Sequence, residues 1–155
     1  MHPNVVRVAE ALAAAGAAGD IVELDDPAPT AATAAAQLGC PVGAIANSLV
    51  FAADGAPVLV LTSGGHRVDT ARVARRLGVQ AVRRADPDFV RTHTGQPIGG
   101  VAPVGHPAQI QTLVDVQLKD FDVVWASAGH PHTVFPTSYV ELLRITGGAP
   151  ADVGD

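Results

Sequence analysis

The sequence predicts an α+β fold built on a mixed sheet, and three observations carry that expectation. Helical and strand-like periodicities are interspersed without a repeated strand-helix alternation, which argues against a doubly wound parallel sheet. Asp54-Gly55 joins two apolar runs, the strongest hairpin signal in the chain. At 155 residues and 48% hydrophobic composition, the chain is long and apolar enough for one core and too short for two. Residues 1–147 therefore read as a single domain, and the Gly/Ala/Asp-rich stretch 148–155 as a frayed C-terminal tail.

Val5, Val8, Ala9 and Leu12 recur at helical spacing, with Asn4 as the expected cap and Gly16 as the stop. Ile21 to Leu24 reads as a short strand. The turn from Asp25 leads to Thr30, which is placed to cap an Ala-rich helix ending at Gly39. Residues 45–53 and 57–62 are the two hairpin strands. A helix opens at Asp69 or Thr70 and runs to Leu77, closed by Gly78; residues 80–83 form a candidate strand. Asp86-Pro87 starts a short helix to Thr92, with proline at its favoured first position. Apolar runs at 110–114 and 123–127 and a short run at 132–135 read as strands, and a last helix extends from Ser138 to about Arg144.

Composition excludes several classes of function. No segment reaches the ~20 consecutive apolar residues of a membrane span, and the N-terminus lacks a secretory pattern. The single Cys40 excludes an intrachain disulfide and a cysteine-cluster metal site. A cytoplasmic protein without membrane association is expected. Net charge is -5, yet seven of the ten basic residues (Arg67, Arg72, Arg75, Arg76, Arg83, Arg84 and Arg91) fall in one segment that holds only Asp69, Asp86 and Asp88 as acids. This cluster reads either as a local dock for a phosphate backbone or as a solvated helix face.

The segment TGQPIGGVAPVGH, residues 94–106, is too rich in glycine and proline for a helix or central strand and must be a shaped loop. Such a loop binds through its own amides, which can hold an anion or a developing oxyanion without a charged side chain. His130, in the ASAGHPH run at 126–132, is placed either to contact a ligand or relay a proton, or simply to sit on the surface of a Pro-containing turn. His106 reads as a backbone-bonded histidine and Cys40 as a packed thiol. His130-x-His132 lacks the spacing of a zinc site, and Gly64-Gly65 lacks the rest of a phosphate-loop fingerprint. No metal and no cofactor are expected.

Taken together, IANSLVF (45–51), TSGGHRVD (62–69), GGVAPVGH (99–106) and ASAG (126–129) resemble, in order and over nearly the whole chain, the YbaK/ProX family. These are free-standing homologues of the editing domain inserted in bacterial prolyl-tRNA synthetases. The resemblance implies a mixed, barrel-like sheet flanked by helices and a trans-acting editing hydrolase. Such an enzyme deacylates a mischarged aminoacyl-tRNA, by default a tRNA(Pro) carrying a small non-cognate amino acid. The implied partners are the acceptor end of the aminoacyl-tRNA and an aminoacyl-tRNA synthetase. The family's G-x-x-x-P loop falls on Gly99 to Pro103, which places Gly99, Gly100 and Val101 against the ester and Ala102, Pro103 and Gly105 around the substrate. Ser48, Ser127 and Gly129 are further substrate-side candidates, His130 a catalytic one, and Arg67, Arg72, Arg75 and Arg76 tRNA-binding ones.

Asn47 departs from the family pattern, which commonly has lysine there. An amide supplies a neutral donor and acceptor in place of an ammonium charge. Several readings stay open: Asn47 positions substrate or water in a working deacylase, another basic group replaces the lysine, the chain is a catalytically silent module that binds tRNA, a nucleotide or an aminoacyl group, or Asn47 only satisfies backbone groups at a strand end. Hydrolysis of another small ester or amide is a further one. In a regular strand only one of Asn47 and Ser48 is expected to face the pocket.

Overall fold

The computed structural model describes residues 2–155. The Asp54-Gly55 turn has positive φ at both residues (48° and 88°), and it joins β2 (Ile45–Ala53) to β3 (Ala56–Ser63) in the long antiparallel hairpin at the centre of the sheet. β3 alternates its side chains between two cores. Leu59 and Leu61 pack on one face and Val58 and Val60 on the other, all of them solvent-excluded. Beyond β3 lie β5 (Gln111–Asp115) and β8 (Ala149–Ala151), both in parallel pairings. Beyond β2 lie β6 (Val124–Ser127), β7 (Thr133–Thr137) and the two-residue β1 (Val22–Glu23). Parallel and antiparallel pairs thus share one sheet. It is an open path from β1 to β8, where the family resemblance implied a barrel-like sheet.

Among the described residues five α-helices flank the sheet, four of them opened by the residue the sequence offers. The first, α1 (Pro3–Ala14), is capped by the His2 imidazole, whose Nδ1 accepts the Asn4 N–H; Asn4 was the expected cap, but Pro3 at the first position moves the boundary back. In α2 (Ala31–Leu38), Thr30 and Thr33 form a reciprocal capping box and Gly39 closes the helix in the left-handed region. Asp69 caps α3 (Thr70–Leu77), Asp86 caps α4 (Pro87–Thr94) and Ser138 caps α5 (Tyr139–Thr146). The last two helices run two residues further than the sequence suggested, to the glycines at 95 and 147. Helices α1, α4 and α5 pack on one face of the sheet, while α2 and α3 lie on the other.

The C-terminal residues correct one expectation. In place of a frayed tail, 149–151 pair with β5, Val153 is buried, and Gly154 bridges Val68. The Val153 carbonyl accepts the Asp69 N–H, and the Arg67 carbonyl accepts the Asp155 N–H. Apolar Ala151 and Val153 have a core position to fill, which composition alone does not reveal.

One feature of the sheet positions the site. The free edge of β2 pairs with β6 at Ile45 and Ala46, and with β4 (Val82–Arg84) at Phe51 to Ala53. Between them, residues 47–50 have no strand partner on that edge. The sheet is split there, and the glycine loop lies across the split.

Candidate functional site

Two cavities meet at this split. The larger, about 480 Å³, is walled by β2, by the 66–70 loop and by the end of β4; the smaller, about 170 Å³, by α2, β6 and β7. Their shared residues are Asn47, Ser48, Leu49, Arg84, Ile98, Gly99 and Val101. Both Asn47 and Ser48 therefore border the space, where a regular strand would present only one. A gap at a strand's edge is open to residues of both faces.

The loop is shaped by a tight turn. The Gly100 N–H donates to the Pro97 carbonyl at 3.0 Å, and Gly99 takes φ +87° inside that turn, a conformation that favours glycine. Ala102 N–H donates to Gln96 Oε1 at 2.6 Å. The amides of Gly99 and Val101 have no acceptor among the described residues, and both residues line both cavities. The expected row of three amides is thus reduced to two, with Gly100 engaged in the turn as a spacer. Gly100 is buried against His130 and Pro131: a Cβ there would lie 3.0 Å from His130 Cα.

Ser48 Oγ is a buried hydroxyl with no hydrogen-bond partner among the described residues. An unpartnered buried polar atom costs ~1–3 kcal/mol, and Ser48 belongs to the wall that the two cavities share. Ser127 lines the smaller cavity.

The remaining candidates lie elsewhere. His130 sits on the far side of Gly100, its ring between those of His2 (5.0 Å) and His132 (5.3 Å) in a separate depression. Burial, then His2, then His132 hold its pKa below the ordinary value, against the opposing pull of Glu23. The structure does not bring it to the two cavities. Gly129 (φ +99°) and Gly105 (φ +86°) pack against α1 at Asn4 and Val8. Ala102 is fully buried; Pro103 lines a third depression together with Gly105 and His106. His106 bonds the Ala102 carbonyl through Nε2 at 2.8 Å, and burial lowers its pKa. Of the four arginines expected at tRNA, only Arg67 lines either of the two cavities. Arg72 pairs with Asp152 at 2.7 Å, and Arg75 and Arg76 occupy the last turn of α3, where they also complement the helix dipole. Among the described residues no group of three His, Cys, Asp or Glu side chains could hold a metal ion.

Sequence reasoning missed the wall opposite the loop. Asp115, fully buried at the end of β5, accepts the Ser63 N–H (2.9 Å), the Thr62 hydroxyl (3.3 Å) and His66 Nε2 (2.5 Å) on one oxygen and the Gln117 N–H (3.0 Å) on the other. It fixes the 62–66 segment that turns into the larger cavity. No local pattern links residues so far apart in the chain. Arg84 was visible only as one member of the arginine cluster.

The model of the aminoacyl-tRNA editing domain matches residues 25–145. This chain belongs to the aminoacyl-tRNA editing domain family. A proline–tRNA ligase of Geobacter sulfurreducens is 32% identical over 122 residues, which cover 73% of this chain and 21% of the ligase. The editing domain thus spans about one fifth of that relative's length. The YwhH protein of Bacillus subtilis is 31% identical over 128 residues, covering 82% of this chain and 81% of its own. A crystal structure described as a candidate trans-editing enzyme for prolyl tRNA synthetase superposes with a TM-score of 0.93 at 38% identity, over 100% of this chain and 99% of the other. No helix among the described residues of this editing domain is long and apolar enough to cross a membrane.

Proposed function

We propose that this chain is a trans-acting deacylase of mischarged aminoacyl-tRNA, most simply a tRNA(Pro) bearing a small non-cognate amino acid, acting in the cytoplasm beside a synthetase. The observation that carries this reading is the pair of unengaged amides, Gly99 and Val101, at the junction of a smaller chamber of mixed polarity and a larger one that holds a second arginine. The smaller chamber is walled by Ala34, Ile45, Trp125, Ala126 and Val134, and so suits a short aminoacyl side chain. The ester carbonyl at the junction meets the two N–H groups, which stabilise charge as it develops. Each such donor is worth ~100- to 1000-fold in rate. The nucleophile is a water or the neighbouring ribose hydroxyl, held by the fit of the substrate and by Asn47.

A second reading rests on the same junction. Its seven residues include no carboxylate and no histidine, which also suits a silent module that binds the aminoacyl end without turning it over. Single-turnover deacylation of Ala-, Cys-, Ser- and Pro-tRNA(Pro) separates the two. Selective hydrolysis of one mischarged species is the expected result. Binding of aminoacyl-tRNA with no hydrolysis above the uncatalysed ester would refute the deacylase and leave the module.

A further inference from the structure

The larger chamber has two arginines on its wall, while carboxylates stand behind it, Asp115 on Thr62 and His66 and Asp155 on the Arg67 backbone. Arg84 lines both cavities and Arg67 the larger one, while neither wall contains an Asp or Glu. Among the described residues neither arginine belongs to an ion pair, whereas Arg72 and Arg144 do. Both are fixed at the backbone. Arg67 is held by Asp155 through its N–H and its carbonyl, and Arg84 stands opposite Phe51 in the β2–β4 ladder, with the next residue, Ala85, donating to Val50. Strand alternation sends the adjacent Arg83 to the other face, so it borders neither cavity. Between the arginines and the loop, the chamber offers Phe51, Val68, Val90 and Ile98 as apolar wall.

We infer that Arg67 and Arg84 are the seat of the phosphodiester that precedes the terminal, aminoacylated nucleoside, and that the nucleoside itself fills the larger chamber. The assignment rests on the editing reading for the position of the ester, and it adds residues that reading does not need. Guanidinium groups suit this role because their fixed fork matches phosphate oxygens in pairs. The two stand on separate elements and border the same chamber. They supply the charge that Asn47 lacks, from a different part of the fold.

The test is calorimetric titration with a non-hydrolysable analogue, 3'-alanylamido-3'-deoxyadenosine, with and without a 5'-phosphate. The phosphate is expected to raise wild-type affinity on the order of tenfold or more. Arg67→Ala and Arg84→Ala each remove most of that gain, read as the ratio of the two analogues' affinities within each variant, since both side chains also border the nucleoside. Arg84→Lys restores part of it, and Arg83→Ala keeps all of it. Absence of the gain in the wild type, its survival in both alanine variants, or failure of the phosphorylated analogue to bind would each overturn the seat. An arginine-dependent gain with a silent deacylation panel would keep the seat and sink the deacylase. Deacylation without the gain would do the reverse.

Discussion

Gly100→Ala separates the loop's architecture from its chemistry. Gly100 does not have positive φ, so alanine is acceptable to the backbone and the effect is steric. The new Cβ would stand 3.0 Å from His130 Cα, 3.1 Å from His130 C and 3.1 Å from Pro131 Cδ, where ordinary contacts begin at 3.4 Å. Two of these atoms are backbone and the third belongs to a proline ring, so the loop must move by a few tenths of an ångström. Overpacking of this kind costs ~1–3 kcal/mol, or several degrees in Tm for a chain of this size. The same shift moves Gly99 and Val101, whose amides work only within a narrow distance of the developing oxyanion. A fall in single-turnover deacylation of roughly 10- to 100-fold is expected, part of the ~100- to 1000-fold value of a donor. Gly39→Ala is the control. Gly39 has φ +68° with open space around the added methyl, and it lies at the end of α2, away from both cavities. It should lose about 1–2 kcal/mol of stability and no activity. If Gly100→Ala keeps its rate within twofold, measured well below its own Tm, the loop does not hold the ester.

Ser48→Ala removes an orphaned buried hydroxyl and should stabilise the fold by about 1 kcal/mol, read by thermal or denaturant unfolding; a loss of stability would show that the hydroxyl is already satisfied. His106 has a pKa depressed by burial below its ordinary 6.5. Its contribution to stability is therefore complete above about pH 6.5 and is lost as pH falls through the depressed folded value, because the unfolded chain takes up the proton first. His106→Gln, which keeps a donor for the Ala102 carbonyl, should flatten the fall in unfolding free energy between about pH 7 and pH 5. An unchanged slope would mean that other groups, such as the similarly depressed His130, carry it.

What the sequence determined by itself was local. The Asp-Gly turn, the helix caps at Thr30, Asp69, Asp86 and Ser138, the glycine stops and the loop at 94–106 are all written in residues a few positions apart, and each appears where those residues put it. The ordered run of family motifs made the fold and the editing class legible too. The tertiary structure decided what depends on distant segments. Which loop amides remain free is set closer by, through Pro97 and Gln96 taking their neighbours, yet residue types alone do not specify those bonds. His130, close to the loop in space, lies behind it and not in the cavity. Asp115 reaches back across the sheet to hold His66, and β8 takes up a stretch that composition marked as loose. The split beside Asn47 exists because β4 and β6 pair with different ends of one strand. Caps and turns are set by short-range sterics and hydrogen bonds, whereas a cavity is defined by where distant segments fail to touch, and no local pattern encodes that.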